Sequence, residues 1–170
     1  MKYIIKSDEP KGFKDWKTDG NTKYNDLINP LKSELKDALL LEQGYICCYC
    51  ETKISSDNSH IEHLKPKDKD KFPELQLNYD NLLCSYQKQL SKGEPRHCGN
   101  SKDNDIISIT PLNQQCENKF TYTEDGQIQY TDKASKEAIK YLQLDIDKLN
   151  DLRKNAIEPF IIDSETFEKI

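Results

Sequence analysis

The stretch HIEHLKPK, residues 60–67, concentrates side chains that could do chemistry. It contains His60, Glu62 and His63, and thus two of the three histidines in a chain of 170 residues. A carboxylate beside an imidazole can bind a divalent cation, and a neutral imidazole can accept a proton near pH 7. The pattern therefore indicates metal ligands or a catalytic base, with neighbouring surface residues as the alternative.

The cysteines form a second group of candidate functional residues. Cys47 and Cys50 have the spacing at which two thiolates from one tight turn can share a tetrahedral zinc ion. Cys84 and Cys98, separated by a polar insertion, supply a second pair. Four thiolates would make a closed structural site whose metal contributes folding free energy. We therefore predict a zinc site formed by these four cysteines.

Two other interpretations of the cysteines remain open. All of them could be ordinary buried thiols, as Cys48 and Cys116 are expected to be. A finger with two cysteines and two histidines would combine the first cysteine pair with His60 and His63. Its intervals are too short for the usual finger, and it would leave the second cysteine pair without a role.

A helix is predicted immediately before the first cysteine pair. Leu31, Leu35 and Leu39 recur at helical spacing, and Gly44 follows as a stop signal. All six cysteines and all three histidines then lie between residues 45 and 120. We expect three regions that pack as one compact unit: a helical extension at 1–43, a site core at 44–120, and a hairpin and helical region at 121–170.

The region after the site core is predicted to form a hairpin followed by helices. Residues 120–131 alternate around Asp125-Gly126, a strong hairpin signal. Apolar residues between Ile139 and Leu152 recur every three or four positions. This spacing predicts one amphipathic helix, or two short helices broken near residues 144–147.

Composition limits the class of protein and its compartment. Hydrophobic residues make up 35% of the chain and charged residues 32%, so part of the fold could depend on a metal or a partner. The net charge of -5 argues against a protein that coats nucleic acid by bulk electrostatics. Because no long apolar run or signal peptide is present, we expect a cytoplasmic protein with no membrane partner.

The order of these motifs resembles that of the zinc-knuckle HNH nucleases of the ββα-metal class. CCYCE, HIEHLKPK, YDNLLCS, HCGNSK and residues 107–128 are also similar to PtuB, the HNH component of Septu anti-phage systems, and to its retron-associated relatives. The similarity spans nearly the whole chain. It implies an α+β protein in which an HNH ββα-metal core with a four-cysteine zinc site is flanked by N- and C-terminal helices.

The same resemblance implies a function and partners. The chain would be a metal-dependent endonuclease, with DNA as the expected substrate, and the effector subunit of an anti-phage defence complex with a PtuA-like ATPase. A retron reverse transcriptase and its DNA–RNA product are further implied partners. An RNA-directed nuclease that cuts tRNA and a non-catalytic, zinc-organised adaptor of the ATPase remain alternatives.

Roles for individual residues also follow from the resemblance. His63 would be the general base, and Asn81 would orient its imidazole through a hydrogen bond. Glu62 and Asn100 would hold a catalytic Mg²⁺ or Mn²⁺. The structural zinc would lie at the four cysteines named above.

The chain departs from the wider HNH pattern at the second cysteine pair, where Gly99 separates Cys98 from Asn100. His97 is therefore an alternative to Asn100 as the third HNH residue.

Three other polar residues near the motifs have expected roles. His60 would be structural or substrate-facing, with metal contact as the alternative. Lys65 and Lys102 would bind substrate phosphates as point charges.

Overall fold

Helices and small sheets alternate along the chain. The computed structural model describes residues 1–67, 71–87, 89–90 and 92–167, with side chains described as far as residue 161. Within these residues the protein is α+β, as predicted. The helices are α1 Lys11–Thr18, α2 Leu31–Glu42, α3 Gly99–Lys102, α4 Lys133–Leu142 and α5 Asp147–Phe167. The strands are β1 Ser59–His63, β2 Leu82–Tyr86, β3 Phe120–Tyr122 and β4 Ile128–Tyr130.

Helix α2 forms where the leucine spacing predicts it. Leu35, Leu39 and Leu40 are buried and make one apolar face, which packs against β2. Gly44 follows the helix with φ of 63°, a left-handed conformation that favours glycine. The chain therefore turns sharply here and enters the first cysteine pair.

Strands β1 and β2 form an antiparallel pair that carries the HIEH motif. Ile61 lies opposite Cys84, and Glu62 lies opposite Leu83. Because side chains alternate along a strand, His60 and Glu62 share one face of β1, while Ile61 faces the other side. The next helix in the chain, α3, lies on the His60 and Glu62 side, since a side chain at Gly99 would collide with both residues.

The second sheet is the predicted hairpin, formed by β3 and β4. Its turn needs glycine at residue 126, where φ is 82° and a Cβ would collide with the backbone of Asn150 and Lys154. The following apolar repeat forms two helices, and residues 143–146 separate them. Asp132 and Ser135 start α4 with a reciprocal capping box.

One hydrophobic cluster draws side chains from the whole of the described chain, including Phe13, Leu39, Leu83 and Leu142. This core fixes β1, β2 and α3 relative to the flanking helices. Among the described residues, none of the helices combines the length and the apolar composition that a bilayer-spanning segment requires.

Candidate active site and thiol cluster

Three thiols meet where the first cysteine turn approaches α3. The sulfur atoms of Cys47, Cys50 and Cys98 all lie within 4.8 Å of one another. The turn is closed by backbone hydrogen bonds from Cys47 N to Thr52 O (2.9 Å) and from Glu51 N to Cys47 O (3.1 Å). Three soft donors in this arrangement could bind a metal ion, and the set is consistent with zinc.

Cys98 reaches this cluster through an unusual backbone conformation. Its φ of 55° and ψ of -137° lie in a region that non-glycine residues rarely adopt. Such a conformation costs about 1–3 kcal/mol and persists only where the surroundings impose it. Here the hydrogen bond from Cys98 N to Leu142 O (2.7 Å) anchors the residue to the end of α4.

The environment of Cys47 favours its thiolate. Burial alone would raise the pKa of Cys47, but hydrogen bonds from Cys48, Cys50 and Cys98 outweigh burial and lower that pKa well below its ordinary value. The backbone N–H of Tyr86 also donates to the Cys47 sulfur at 3.2 Å. The thiolate is the form that binds a metal, so these hydrogen bonds favour metal binding at Cys47.

The structure does not place Cys84 with the other thiols, which corrects the predicted four-cysteine site. Cys84 lies on β2, and its thiol contacts the backbone oxygen of Lys36 on α2 at 3.8 Å. Ser85, the next residue, instead places its hydroxyl 3.9 Å from the Cys47 sulfur. The alternation of side chains along β2 therefore directs Cys84 away from the cluster.

His63 is buried in the chemical form that a general base requires. Its Nε2–H donates to the backbone oxygen of Gln76 at 3.1 Å, which leaves Nδ1 as the basic ring nitrogen. The ring also contacts the edge of Tyr24, with a centroid separation of 4.5 Å. Burial lowers the pKa of His63 to about 4, so its imidazole is neutral at pH 7.

Asn81 positions His63 indirectly, and not through the direct hydrogen bond that was predicted. Its side-chain oxygen accepts from Lys65 N at 2.7 Å, and its amide donates to Lys65 O at 2.9 Å and Leu75 O at 3.0 Å. These bonds join the two ends of the connection between β1 and β2. Because Gln76 follows Leu75 directly, Asn81 holds the carbonyl that orients the imidazole.

Glu62 lies beside His63 as a buried carboxylate with several partners. Its Oε1 accepts from the Tyr49 hydroxyl at 3.0 Å and pairs with the Lys102 ammonium at 3.0 Å. Its Oε2 lies 3.5 Å from His60 Nε2. Burial alone would raise the pKa of Glu62, but the hydrogen bond with His60 and the charge of Lys102 outweigh burial and lower it.

Lys102 occupies a position that differs from the predicted phosphate contact, whereas the phosphate contact of Lys65 stays a prediction. Lys102 is 0% exposed, and its ammonium binds Glu62 and the backbone oxygen of His63 at 3.1 Å. It is therefore a structural counter-ion within the protein. Lys65 is half-buried, and its ammonium lies 5.6 Å from the ring centroid of Phe72.

Residues after α3 complete the pocket around Glu62 and His63. Asp103 and Asn104 line this pocket together with Gly99. Asn100 and His97, the two predicted alternatives for the third HNH residue, do not line it. The Asn100 amide instead donates to Gln87 O at 2.6 Å.

Sequence reasoning missed Asp103 and Asn104, although both directly follow the Lys102 of the motif. The signal available in the sequence was an acid followed by an amide directly after the motif lysine, at the end of a helix. The acid of Asp103, the amide of Asn104 and the carboxylate of Glu62 provide hard oxygen donors, which suit Mg²⁺ or Mn²⁺.

His60 lies beside Glu62 but lines an adjoining groove and not the pocket around His63. Its Nδ1 contacts Gln87 O at 3.1 Å, and the opposite ring nitrogen faces Glu62. These contacts fit the structural role, which was one of the two roles expected for His60. Gly99 leaves the space that both side chains occupy.

Comparison with known proteins gives a partial match. No protein-family model matches the chain. A protein of Vibrio cholerae serotype O1 biovar El Tor named "Retron Vc95 putative HNH endonuclease" is 34% identical over 97 residues, which are 56% of this chain. The similarity supports an HNH endonuclease relationship. The matched residues make up 46% of the relative, so the match spans about half of that protein's length.

The buried Glu62–Lys102 pair predicts a large effect on stability. We expect Lys102→Met to lower the free energy of unfolding by about 3–5 kcal/mol, because it leaves a buried carboxylate without its cation. Urea denaturation followed by circular dichroism measures this loss. Lys133→Met is the control, since that lysine side chain is 89% exposed and should change stability little. A loss below about 1 kcal/mol for Lys102→Met would contradict the assigned role.

The environment of His63 predicts its titration. Histidine NMR should show a neutral His63 ring at pH 5.5, where an ordinary histidine with a pKa near 6.5 is mostly protonated. The folded pKa of about 4 lies below the unfolded value, so His63 destabilises the fold as pH falls from about 6.5 toward 4. Comparison with His63→Ala assigns the signal. Protonation of the ring near pH 6.5 would show that the site is open to solvent.

Proposed function

We propose that the chain is a metal-dependent HNH endonuclease that cuts DNA as the effector subunit of an ATPase–nuclease anti-phage complex. The observation that carries this proposal is the neutral imidazole of His63, with Nε2 occupied by Gln76 O, in the same pocket as the Glu62 carboxylate. A base and hard metal ligands in one pocket are what phosphodiester hydrolysis requires.

His63 and the oxygen donors of the pocket would have separate roles in the reaction. Nδ1 of His63 takes a proton from the attacking water, and the Nε2–H bond to Gln76 O stabilises the imidazolium that results. Glu62 would hold the divalent cation with Asp103 and Asn104. When bound, the cation would neutralise charge on the leaving oxygen.

A groove of about 700 Å³ beside the pocket supports a nucleic-acid substrate. Groove and pocket share Tyr24, Ile61 and Lys67 in their linings, so a strand in the groove could continue to His63. Lys32 and Lys67 are exposed, and both ammonium groups lie near the Tyr24 ring, 5.2 Å and 5.1 Å from its centroid. They supply local positive charge for phosphates despite the net charge of -5.

A PtuA-like ATPase is the proposed partner. An acidic protein gains little general electrostatic attraction to nucleic acid, so a partner that delivers the substrate would supply the missing affinity. The Vibrio cholerae relative carries the word retron in its name. A retron reverse transcriptase and its DNA–RNA product are therefore proposed as further partners.

The proposal predicts cleavage that depends on both a cation and His63. Plasmid DNA and a tRNA pool are incubated with the chain co-purified with the proposed PtuA-like ATPase, in Mg²⁺ or in EDTA. We expect Mg²⁺-dependent cutting of plasmid DNA, and a loss of about 10²–10⁴-fold in rate for His63→Ala, because the general base is removed.

Lys133→Ala, an exposed substitution on α4, is the matched control and should cut at the native rate. Circular dichroism and co-purification verify that His63→Ala is folded and bound to the ATPase. Cutting of tRNA alone would overturn the DNA assignment and favour an RNA-directed nuclease. Unchanged cutting by His63→Ala, or no cutting by the folded native complex, would favour a non-catalytic adaptor.

A further inference from the structure

The three-thiol cluster leaves one position of a tetrahedral zinc site to be filled. We propose that Nδ1 of His97 is the fourth ligand, so that the site is three cysteines and one histidine. The cluster that it completes is formed by Cys47, Cys50 and Cys98. This inference concerns the structural metal and does not depend on the nuclease chemistry proposed above.

The first support is the position of the His97 ring. Its Nδ1 lies 3.1 Å from the Cys98 sulfur, although the two residues are consecutive. Consecutive side chains of an extended strand point to opposite sides, but Cys98 has a positive φ and its sulfur contacts the neighbouring ring. Neither His97 nitrogen lies within 4.8 Å of all three sulfurs, so the ring would shift toward Cys47 and Cys50 on binding the metal. Zinc bonds of 2.3 Å to sulfur and about 2.0 Å to nitrogen would place these two atoms about 3.5 Å apart in a tetrahedron.

The second support is the burial of a polar ring without a satisfactory partner. His97 is 0% exposed, and its Nε2 has no hydrogen-bond partner within the described residues. A thiol is a weak partner for Nδ1, so the buried imidazole lacks the strong interactions that such groups normally have. A metal bound through Nδ1 would give this buried ring one strong interaction, while Nε2 keeps no partner among the described residues.

The third support is the fixed orientation of the ring. Tyr86 stacks on His97 with a centroid separation of 5.3 Å and an interplanar angle of 26°. Gln87 holds the backbone, since its side-chain oxygen accepts from His97 N at 3.0 Å. A ligand held in this way loses little conformational entropy when it binds a metal.

Charge also agrees with three thiolates and a neutral imidazole, which give a zinc site a net charge of -1. Arg153 lies within electrostatic range of Cys50 and Cys98. Its guanidinium donates to the uncharged oxygens Leu144 O at 2.6 Å and Asn150 Oδ1 at 2.9 Å, and the Glu51 carboxylate also lies within its electrostatic range. Arg153 therefore supplies positive charge beside the proposed site.

X-ray absorption at the zinc edge tests the ligand set on the full-length protein. We expect a first shell of three sulfurs and one nitrogen, with one zinc per chain. The Co²⁺-substituted protein should show tetrahedral ligand-field bands and thiolate charge-transfer absorption from three Co–S bonds. Four sulfurs in the first shell, or three sulfurs with no histidine nitrogen, would overturn the proposal.

Substitutions separate His97 from Cys84, the residue that sequence spacing selects. His97→Cys should retain zinc and raise the Co²⁺ charge-transfer absorption by about one third, since a fourth thiolate replaces the imidazole. His97→Ala should weaken zinc binding by at least about 10–100-fold in a chelator competition, the loss typical of residues that merely orient a ligand.

Cys84→Ala is the matched control, because it removes a buried thiol that lies outside the cluster. Its zinc content, zinc affinity and Co²⁺ spectrum should equal those of the native protein. Loss of zinc or of charge-transfer intensity in Cys84→Ala, or no change in the Co²⁺ spectrum of His97→Cys, would contradict the assignment. The two folded-state spectra keep the test valid even where His97→Ala fails to fold.

Discussion

Burial of the Glu62 carboxylate is the constraint on which the remainder of the site depends. A buried carboxylate is tolerated only with a cation and several hydrogen bonds around it. Lys102 comes from α3, Tyr49 from the first cysteine turn and His60 from the same strand. Three parts of the chain must therefore meet at one side chain before the pocket exists.

The thiol cluster and the candidate active site are mechanically connected through these partners. Tyr49 lies between Cys47 and Cys50 in the chain, and its hydroxyl binds Glu62 directly. Cys98 immediately precedes α3, whose last residue is Lys102. A metal bound by the thiols would therefore fix both groups that hold Oε1 of Glu62. Structural metal and catalytic pocket would then be parts of one unit, and the small core would not have to hold the pocket alone.

Patterns in the sequence predicted the elements better than the contacts. Helix α2, the hairpin at Gly126 and the break between α4 and α5 follow from spacing and turn residues, which act locally. Cys84 was assigned to the zinc site by its type, but the alternation along β2 directs its thiol to α2. The roles of Lys102 and Asn81 depend on which groups the fold brings close to their side chains. No local sequence pattern encodes that proximity. His97 and Asn100 were predicted for the pocket by their place beside the motif, but neither of them lines it.

The central claim is that a divalent cation binds at Glu62 in the pocket that contains His63. Anomalous scattering from Mn²⁺ in crystals of the protein tests this most directly. We expect a Mn²⁺ ion coordinated by Glu62, with a further oxygen ligand from Asp103 or Asn104. Mn²⁺ bound elsewhere on a protein preparation that cuts nucleic acid in the same buffer, with none at Glu62, would contradict it.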